Sequence, residues 1–223
     1  MTVLRAPRVR IEVYGDQHAR RIYRAFVARH RVFKMTRAKR WGVALIRLPE
    51  TMDEYLAGSS KELLRRKRRA AERAGYRYAL LAAADHIDEI LAINLSSPTR
   101  QGRGLPAYYL DREHVAATFS DRPEIHGILD SAGRLRAYAW VPRAGDFVLL
   151  ETLLGHADDL DAGVMYLLIS EVIGSTIRQR DANGSPGWAM YDTFWGAAPG
   201  LSYFKERTGF RPYTVDWAWV DRP

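Results

Sequence analysis

Residues 200–213, GLSYFKERTGFRPY, combine a helical pattern, a helix stop and the start of a strand in one short stretch. Leu201, Phe204 and Thr208 repeat at i, i+3 and i+7, which places them on one face of a helix. Gly209 is the residue type that adopts the left-handed conformation closing a helix. We therefore predict a short helix that ends at Gly209 and leads directly into a strand.

A single lysine, Lys205, lies on this predicted helix one turn before its end. One interpretation is a solvated surface cation whose apolar stem lies along the protein and whose charge stays in water. The other is a cation that works in a functional site. The local pattern leaves both interpretations open.

Upstream of this stretch, strand and helix patterns alternate in a regular order from residue 76 onward. Short turns at residues 131–133 and 143–146 separate three predicted strands, which indicates an antiparallel meander. The predicted elements are a strand at 76–83, helices at 85–96 and 111–119, strands at 124–130, 135–143 and 146–154, a helix at 163–180 and a strand at 188–194.

The front of the chain is strongly basic. Residues 1–76 hold 20 Lys+Arg against 7 Asp+Glu, a net charge of +13, whereas residues 77–223 carry a net charge of −5. We predict a basic N-terminal extension over residues 1–75, with strands at 8–14 and 42–48 and helices after Asp16 and over 59–75, the last begun by a capping box from Ser59 to Glu62. A core over residues 76–223 would follow it, and the basic front would attract polyanions.

The helix predicted over 59–75 carries five consecutive cations. Like charges this close repel one another by a few tenths of a kcal/mol per pair. They form either a solvated helix face or a phosphate-binding face, and the residues leave this open. The candidate phosphate-binding residues are Lys61, Arg65, Arg66, Lys67, Arg68 and Arg69.

Composition excludes several classes of site. The chain contains no cysteine, which excludes disulfides, thiolate metal sites and a cysteine nucleophile, and its six histidines lack ligand spacing, so we predict no metal site. We find neither the run of about 18 apolar residues that spans a bilayer nor a secretory signal pattern. The default expectation is a cytoplasmic protein with no membrane span.

The order of elements from residue 76 resembles the fold of the GNAT acyltransferases, over about two thirds of the chain. The pair Phe204-Lys205 before Gly209-Phe210 resembles the Fem-like branch of that superfamily, whose members transfer aminoacyl groups from tRNA. The segment from Ser59 through the cation run also resembles that branch. The resemblance implies an α+β (α/β) protein with a mixed, mostly antiparallel, twisted sheet flanked by helices, behind a basic strand and helix extension.

The resemblance further implies an N-acyltransferase that moves an acyl group to the amine of a small or peptide-like acceptor, with aminoacyl-tRNA as the favoured donor and co-substrate and no tightly bound cofactor. Lys205 would stabilise charge and pass a proton at the leaving ribose hydroxyl, with Phe204 as a wall, and Glu151 would be a base for the amine. The acceptor and substrate residues would be Arg100, Arg103, Tyr108, Tyr109, Tyr191 and Asp192. Surface or core roles for the same residues stay open.

One departure concerns the donor. Residues 157–163, ADDLDAG, stand where acyl-CoA-dependent relatives carry a glycine-rich turn that holds the pyrophosphate. Three aspartates would satisfy the helix end and repel a pyrophosphate. Acetyl-CoA or another acyl-CoA is therefore the alternative donor, and a non-enzymatic nucleic-acid-binding module is a further alternative. The pattern does not indicate an oligomeric state.

Overall fold

The computed structural model describes residues 6–29, 37–99, 104–122, 124–180, 184–195 and 197–221. They divide into two compact units that interleave along the chain. Unit 1 comprises the chain up to residue 55, residues 142–150 and the chain from residue 175 onward. Unit 2 comprises residues 56–141 and 151–174. The predicted α+β class, with mixed, mostly antiparallel strand pairing and helices, is confirmed.

Helices and strands are numbered here in chain order. The strands of the described residues are β1 (Arg8–Val13), β2 (Val43–Arg47), β3 (Arg77–Ala82), β4 (Glu124–Leu129), β5 (Leu135–Trp140), β6 (Arg143–Ala144), β7 (Phe147–Leu149), β8 (Thr152–Gly155), β9 (Trp188–Thr193) and β10 (Arg211–Trp219). The α-helices are α1 (Gln17–Val27), α2 (Met52–Leu56), α3 (Glu62–Arg73), α4 (Ile87–Leu95), α5 (Arg112–Ser120), α6 (Val164–Arg178) and α7 (Pro199–Thr208).

Unit 1 is built on a six-stranded sheet in the order β1-β10-β2-β9-β7-β6. The pairs β1–β10 and β7–β9 are parallel and the other pairs are antiparallel. Helix α1 begins at Asp16, whose carboxylate accepts a hydrogen bond from the Ala19 N–H at 2.9 Å, as expected of an N-cap. Its buried face places Ile22 and Phe26 in a core with Trp217 of β10.

Unit 2 is built on a four-stranded antiparallel sheet in the order β3-β4-β5-β8. Helices α4 and α5 supply Ile90, Ile93 and Phe119 to a core that also contains Ile125 and Tyr138 of the sheet. The predicted hairpin between β4 and β5 is present. The sheet therefore presents one well-packed apolar face to two helices.

The single strand predicted over residues 146–154 is wrong. It is two strands, β7 and β8, and they belong to different sheets. The break lies between Leu150, whose N–H donates to Met190 O at 2.8 Å, and Glu151, whose N–H donates to Trp140 O at 3.2 Å. Adjacent amides therefore belong to different ladders. The apolar run over residues 147–154 is interrupted only by Glu151 and Thr152, and a polar interruption does not by itself indicate a change of sheet.

The predicted basic extension contributes strands to a sheet. β1 pairs with β10, and β2 pairs with both β10 and β9. The boundary near residue 75 stays a prediction. The predicted capping box is wrong, because residues Ser59–Lys61 form a 3₁₀ helix and α3 then begins at Glu62 without a side-chain cap. Ser59 O accepts the Glu62 N–H, so Ser59 lies within a helical turn and not at an N-cap.

The predicted helix, stop and strand at the end of the chain are confirmed by α7 and β10. Gly209 has a φ of 104° in the left-handed region, where glycine carries no steric penalty. The Phe210 N–H returns to Lys205 O at 2.9 Å, which closes the last turn.

Gly163, just before α6, provides a stability test. Its φ is 93°, and a Cβ there would lie 2.6 Å from the Lys67 carbonyl oxygen in unit 2. Gly133 has a similar φ of 80° but open space around it. We expect Gly133→Ala to lower the free energy of unfolding by about 1–2 kcal/mol through backbone strain alone. We expect Gly163→Ala to cost about 1–3 kcal/mol more through overpacking.

Urea denaturation of both variants measures this difference. Equal losses at the two glycines would contradict the close approach at Gly163.

Candidate functional site

Lys205 is buried inside unit 1. Its side chain is part of α7, and the residue is 1% exposed. The ammonium Nζ donates a hydrogen bond to the Thr193 carbonyl oxygen at 2.7 Å and lies 4.6 Å from the centre of the Tyr191 ring. A solvated surface lysine is therefore excluded, and the ammonium instead faces the end of β9.

This environment makes Lys205 easier to deprotonate. Burial lowers the pKa of Lys205 to about 8, because the charged form loses its hydration. The Asp192 carboxylate opposes this effect, and Lys39 adds to it. Burial also raises the pKa of the Tyr191 phenol, so the ring stays neutral beneath the ammonium.

The end of β9 is irregular beside this lysine. Pairing with β2 runs from Val43 with Thr193 to Leu45 with Met190, so β9 carries one residue more than its partner there. Within this bulge Asp192 has a φ of 51°, the left-handed conformation that non-glycine residues adopt only at a cost. The Asp192 carboxylate pairs with Lys39. Strain of this kind is common at functional sites.

The structure thus brings three predicted residues together in unit 1, namely Lys205, Tyr191 and Asp192. Phe204 is half-buried on α7, and its carbonyl oxygen accepts the Thr208 hydroxyl at 2.7 Å. Lys39 was not among the predicted residues, because its only signal in the sequence was membership of a basic stretch. The catalytic and substrate roles of the predicted residues stay predictions.

The cations of α3 divide into two groups. Lys67 donates to the Asp161 carbonyl oxygen at 2.9 Å, and Arg65 donates to the Gly58 carbonyl oxygen at 2.8 Å. Arg68 pairs with Glu171 at 2.9 Å. These three cations therefore have partners within unit 2.

Arg66, Arg69 and Arg73 form the other group, and we call them the α3 stripe. All three are exposed, and their spacing of i, i+3 and i+7 places them on one helix face. Within the described parts of the chain, the side chains of Arg66 and Arg69 have no hydrogen-bond or ion-pair partner. A groove of about 710 Å³ runs along this face, lined by Glu62, Arg65, Arg66, Arg69, Glu72 and Arg73.

A second cluster in unit 2 collects other predicted residues around Arg122. The guanidinium of Arg122 lies 3.8 Å from the centre of the Trp140 ring, and one of its nitrogens is 3.6 Å from the Glu151 carboxylate. The rings of Tyr108 and Tyr109 lie 4.6 Å apart. Burial and Tyr109 raise the pKa of Tyr108, with Arg122 opposing. We call these five residues the Arg122 cluster.

Glu151, Tyr108 and Tyr109 were predicted as site residues, whereas Arg122 was missed. No local pattern marks Arg122, because its role depends on a ring in β5. The predicted residues Arg100 and Arg103 lie outside the described residues. Lys61 is half-buried in the 3₁₀ turn before α3.

Asp159, in the turn at residues 157–163, has hydrogen-bond partners elsewhere in unit 2. The Asp159 carboxylate accepts hydrogen bonds from the Tyr76 hydroxyl and the Arg136 Nε, both at 2.6 Å. It does not cap α6, so that interpretation of Asp159 is wrong. Burial, followed by Asp159, raises the pKa of Tyr76 to about 12. The carboxylate is therefore part of a buried network, and its displacement by a pyrophosphate would cost free energy because buried charges would lose their partners.

The described residues lack a metal-binding cluster and a membrane-spanning helix. They contain no group of histidine, aspartate and glutamate residues that could hold a metal ion. Among the same residues, no helix has both the length and the apolar character needed to cross a bilayer.

The fold and the site define an α+β protein with a mixed sheet, a second, antiparallel sheet and a buried lysine at a strand bulge. L-PGS from Bacillus licheniformis has a similar fold, with a TM-score of 0.51 and 14% identity over 76% of this chain and 57% of that one. A conserved protein of unknown function from Bacteroides thetaiotaomicron has a TM-score of 0.54 and 11% identity, over 76% of this chain and 58% of that one. The chain thus spans less than two thirds of the structures it matches.

The C-terminal domain of a protein assigned as a lysylphosphatidylglycerol synthetase, from Agrobacterium fabrum, has a TM-score of 0.47 and 14% identity over 76% of this chain and 57% of that one. No protein-family model and no curated protein matches the chain. The predicted GNAT, Fem-like family is wrong, because the similar fold is that of L-PGS and not of a GNAT or Fem-like acyltransferase. The order of elements and the short motifs were not specific enough to identify the family.

Proposed function

We propose that the chain is an aminoacyltransferase that moves an aminoacyl group from the ribose ester of a tRNA to a hydroxyl of a lipid headgroup. The observation that carries the proposal is the buried ammonium of Lys205 at the bulge of β9. The likeness of fold to L-PGS supports the reaction class and replaces the amine acceptor predicted from sequence by a lipid. The donor would be met in the cytoplasm, the predicted location.

The reaction needs charge stabilisation and a proton. The acceptor oxygen bonds to the carbonyl carbon of the ester, the bond from that carbon to the ribose oxygen breaks, and the proton of the acceptor hydroxyl ends on the ribose oxygen. A desolvated ammonium stabilises the developing oxyanion more strongly than one in water. With a pKa of about 8, Lys205 can also give up a proton near neutral pH.

The donor would bind through phosphates at the α3 stripe. Arg66, Arg69 and Arg73 extend over seven residues of helix, a span of about 10 Å. Exposed guanidinium groups in a groove suit the phosphates of a nucleic-acid backbone, because each can bind phosphate oxygens in a bidentate manner. Arg65, Lys67 and Arg68, which were also predicted, would instead hold the helix in place.

In the proposal, Phe204 keeps the role expected from sequence, whereas Glu151, Tyr191 and Asp192 take different ones. Phe204 would be a wall beside Lys205, and Tyr191 and Asp192 would set the position and charge of its ammonium. Glu151, with Tyr108 and Tyr109, would belong to acceptor recognition. No tightly bound cofactor is part of the proposal.

A donor test distinguishes the possible reactions. The purified chain is incubated with tRNA carrying radiolabelled amino acids and with vesicles containing phosphatidylglycerol, and in parallel with labelled acetyl-CoA. We expect label in the lipid extract from the tRNA mixture only. Label moved from acetyl-CoA, or from tRNA onto an added small amine but never onto lipid, would contradict the proposal. Binding of tRNA without any transfer would favour a nucleic-acid-binding module.

A further inference from the structure

We propose that the Arg122 cluster is a binding site for a phosphate diester that carries a hydroxyl group, which is the chemistry of a glycerophosphate headgroup. The first observation is that the guanidinium of Arg122 is held in place by aromatic rings. It lies 3.8 Å from the Trp140 ring centre and 5.9 Å from that of Phe119, and its side chain is 22% exposed. Stacking of this kind fixes the plane of the guanidinium but leaves the N–H groups at its edge available.

The second observation is that these N–H groups are underused. Among the described residues, the side chain of Arg122 has one ion-pair partner, Glu151, at 3.6 Å, which is too long for a hydrogen bond. A guanidinium has five N–H donors in a fork that matches two oxygens of a phosphate or carboxylate. Arg122 is therefore a partly desolvated arginine whose N–H groups, as far as the described residues go, are available to bind an anion.

The third observation is the carboxylate beside it. Glu151 is 36% exposed and lies at the break between β7 and β8, where the chain leaves one sheet and enters another. A carboxylate accepts hydrogen bonds and repels anions, so this position suits a hydroxyl and disfavours a bare phosphate dianion. The Tyr108 phenol is close enough for the charges of Arg122 and Glu151 to affect its pKa.

Together, an anion receptor next to a hydrogen-bond acceptor selects a ligand with a phosphate and a hydroxyl a few bonds apart. A single negative charge on a diester is favoured over the double charge of inorganic phosphate. The inference deepens the proposed function and rests on it for the statement that the bound headgroup is the acceptor. The binding itself can be measured without any transfer reaction.

The test is calorimetric titration of the full chain with four probes: glycerophosphoglycerol, glycerol 3-phosphate, inorganic phosphate and glycerol. We expect glycerophosphoglycerol to bind most tightly and glycerol not to bind. Arg122→Gln should weaken glycerophosphoglycerol binding by about 10- to 100-fold, the loss expected for charge-assisted hydrogen bonds. Arg122→Lys keeps the positive charge but loses the forked N–H donors of the guanidinium, so it should retain only part of the wild-type affinity for glycerophosphoglycerol.

The matched control is Arg134→Gln, which removes an exposed arginine that pairs with Asp130 in the same unit. It should leave binding unchanged. Glu151→Gln should have opposite effects on two probes. Inorganic phosphate should bind more tightly because the repulsion is gone, and the preference for glycerophosphoglycerol over inorganic phosphate should shrink. Thermal melts of each variant verify that the fold is retained.

Several outcomes would overturn the inference. These are equal losses in the Arg122 and Arg134 variants, a probe preference unchanged by Glu151→Gln, or no binding of any phosphate probe. Vesicles with and without phosphatidylglycerol distinguish a lipid from a free headgroup, because a site for free phosphates would ignore the vesicles. If the chain transfers aminoacyl groups but Arg122 binds no probe, the inference fails and the proposed function stands. If the headgroup binds through Arg122 and no transfer occurs, the inferred binding site stands and the proposed function fails.

Discussion

Replacement of Lys205 by methionine is expected to reduce aminoacyl transfer by about 10²- to 10⁴-fold while the chain stays folded, the range typical for loss of a charge-stabilising or proton-transferring group. The reason is that the ammonium is buried and makes a single hydrogen bond, to the Thr193 carbonyl, among the described residues. Methionine has a similar length and fills the same space without a charge. Initial rates with charged tRNA and phosphatidylglycerol vesicles measure the loss.

The same variant should be more stable than the wild type at neutral pH, which separates a catalytic loss from unfolding. Burial lowers the pKa of Lys205 from 10.5 in the unfolded chain to about 8. Between these values the unfolded chain binds more protons, so wild-type stability should rise with pH from about 8 to 10.5 and be lowest below 8. The gain for Lys205→Met at pH 7 is at most roughly 3 kcal/mol. Urea denaturation at pH 7 and pH 10 measures how far this gain shrinks.

The pH dependence of transfer tests the protonation state. If the ammonium is the working form, the rate should fall as the pH rises through about 8, and Lys205→Arg should remove that fall because arginine stays charged. A rate that instead rises above pH 8 would contradict this role and indicate a neutral amine acting as a base. A Lys205→Met variant with wild-type activity would remove Lys205 from the mechanism.

The α3 stripe carries the second large effect. Replacing Arg66, Arg69 and Arg73 together by glutamine is expected to weaken tRNA binding by about 100-fold at low salt. The slope of log affinity against log salt should become less steep by about 2–3, because three phosphate contacts are lost. Fluorescence anisotropy of labelled tRNA over a range of salt concentrations measures both quantities.

A matched control exists on α1 in unit 1. Arg20, Arg21 and Arg24 are exposed on that helix, and their replacement by glutamine removes the same charge. This triple variant should change tRNA affinity far less than the stripe variant. Equal losses would mean that binding follows the net charge of the protein and not the α3 groove. Arg68→Gln should lower stability and leave tRNA affinity largely unchanged, because Arg68 already pairs with Glu72 and Glu171.

Much of the secondary structure was predictable because its causes are local. The helix stop at Gly209 follows from the conformational freedom of glycine, and the N-cap at Asp16 follows from a short side chain that reaches nearby amides. The hydrophobic repeat of a helix or strand lies within a few residues. The end of α7 at Gly209 and the approximate bounds of β4 could therefore be inferred without knowing their neighbours.

The capping box at Ser59 and the strand over 146–154 were wrong for a related reason. In both, the local pattern was acceptable, but a competing contact decided the outcome: a 3₁₀ turn at Ser59, and separate ladders for Leu150 and Glu151. Both competing arrangements depend on partners that a short window does not contain. The family resemblance failed similarly, since an order of helices and strands and a few short motifs do not specify how the elements pair in three dimensions.

In the candidate sites, too, some features were set by the sequence alone and others only by the tertiary structure. Residue type and spacing were enough to single out Lys205, Glu151 and the cations of α3, because charge and helical period are properties of the chain. Tertiary structure alone decided that Lys205 is buried and that Arg68 is paired, whereas the side chains of Arg66 and Arg69 have no ion-pair partner among the residues that the structure describes. The physical reason is that desolvation and ion pairing depend on groups far apart in sequence, and only folding brings them within a few ångströms.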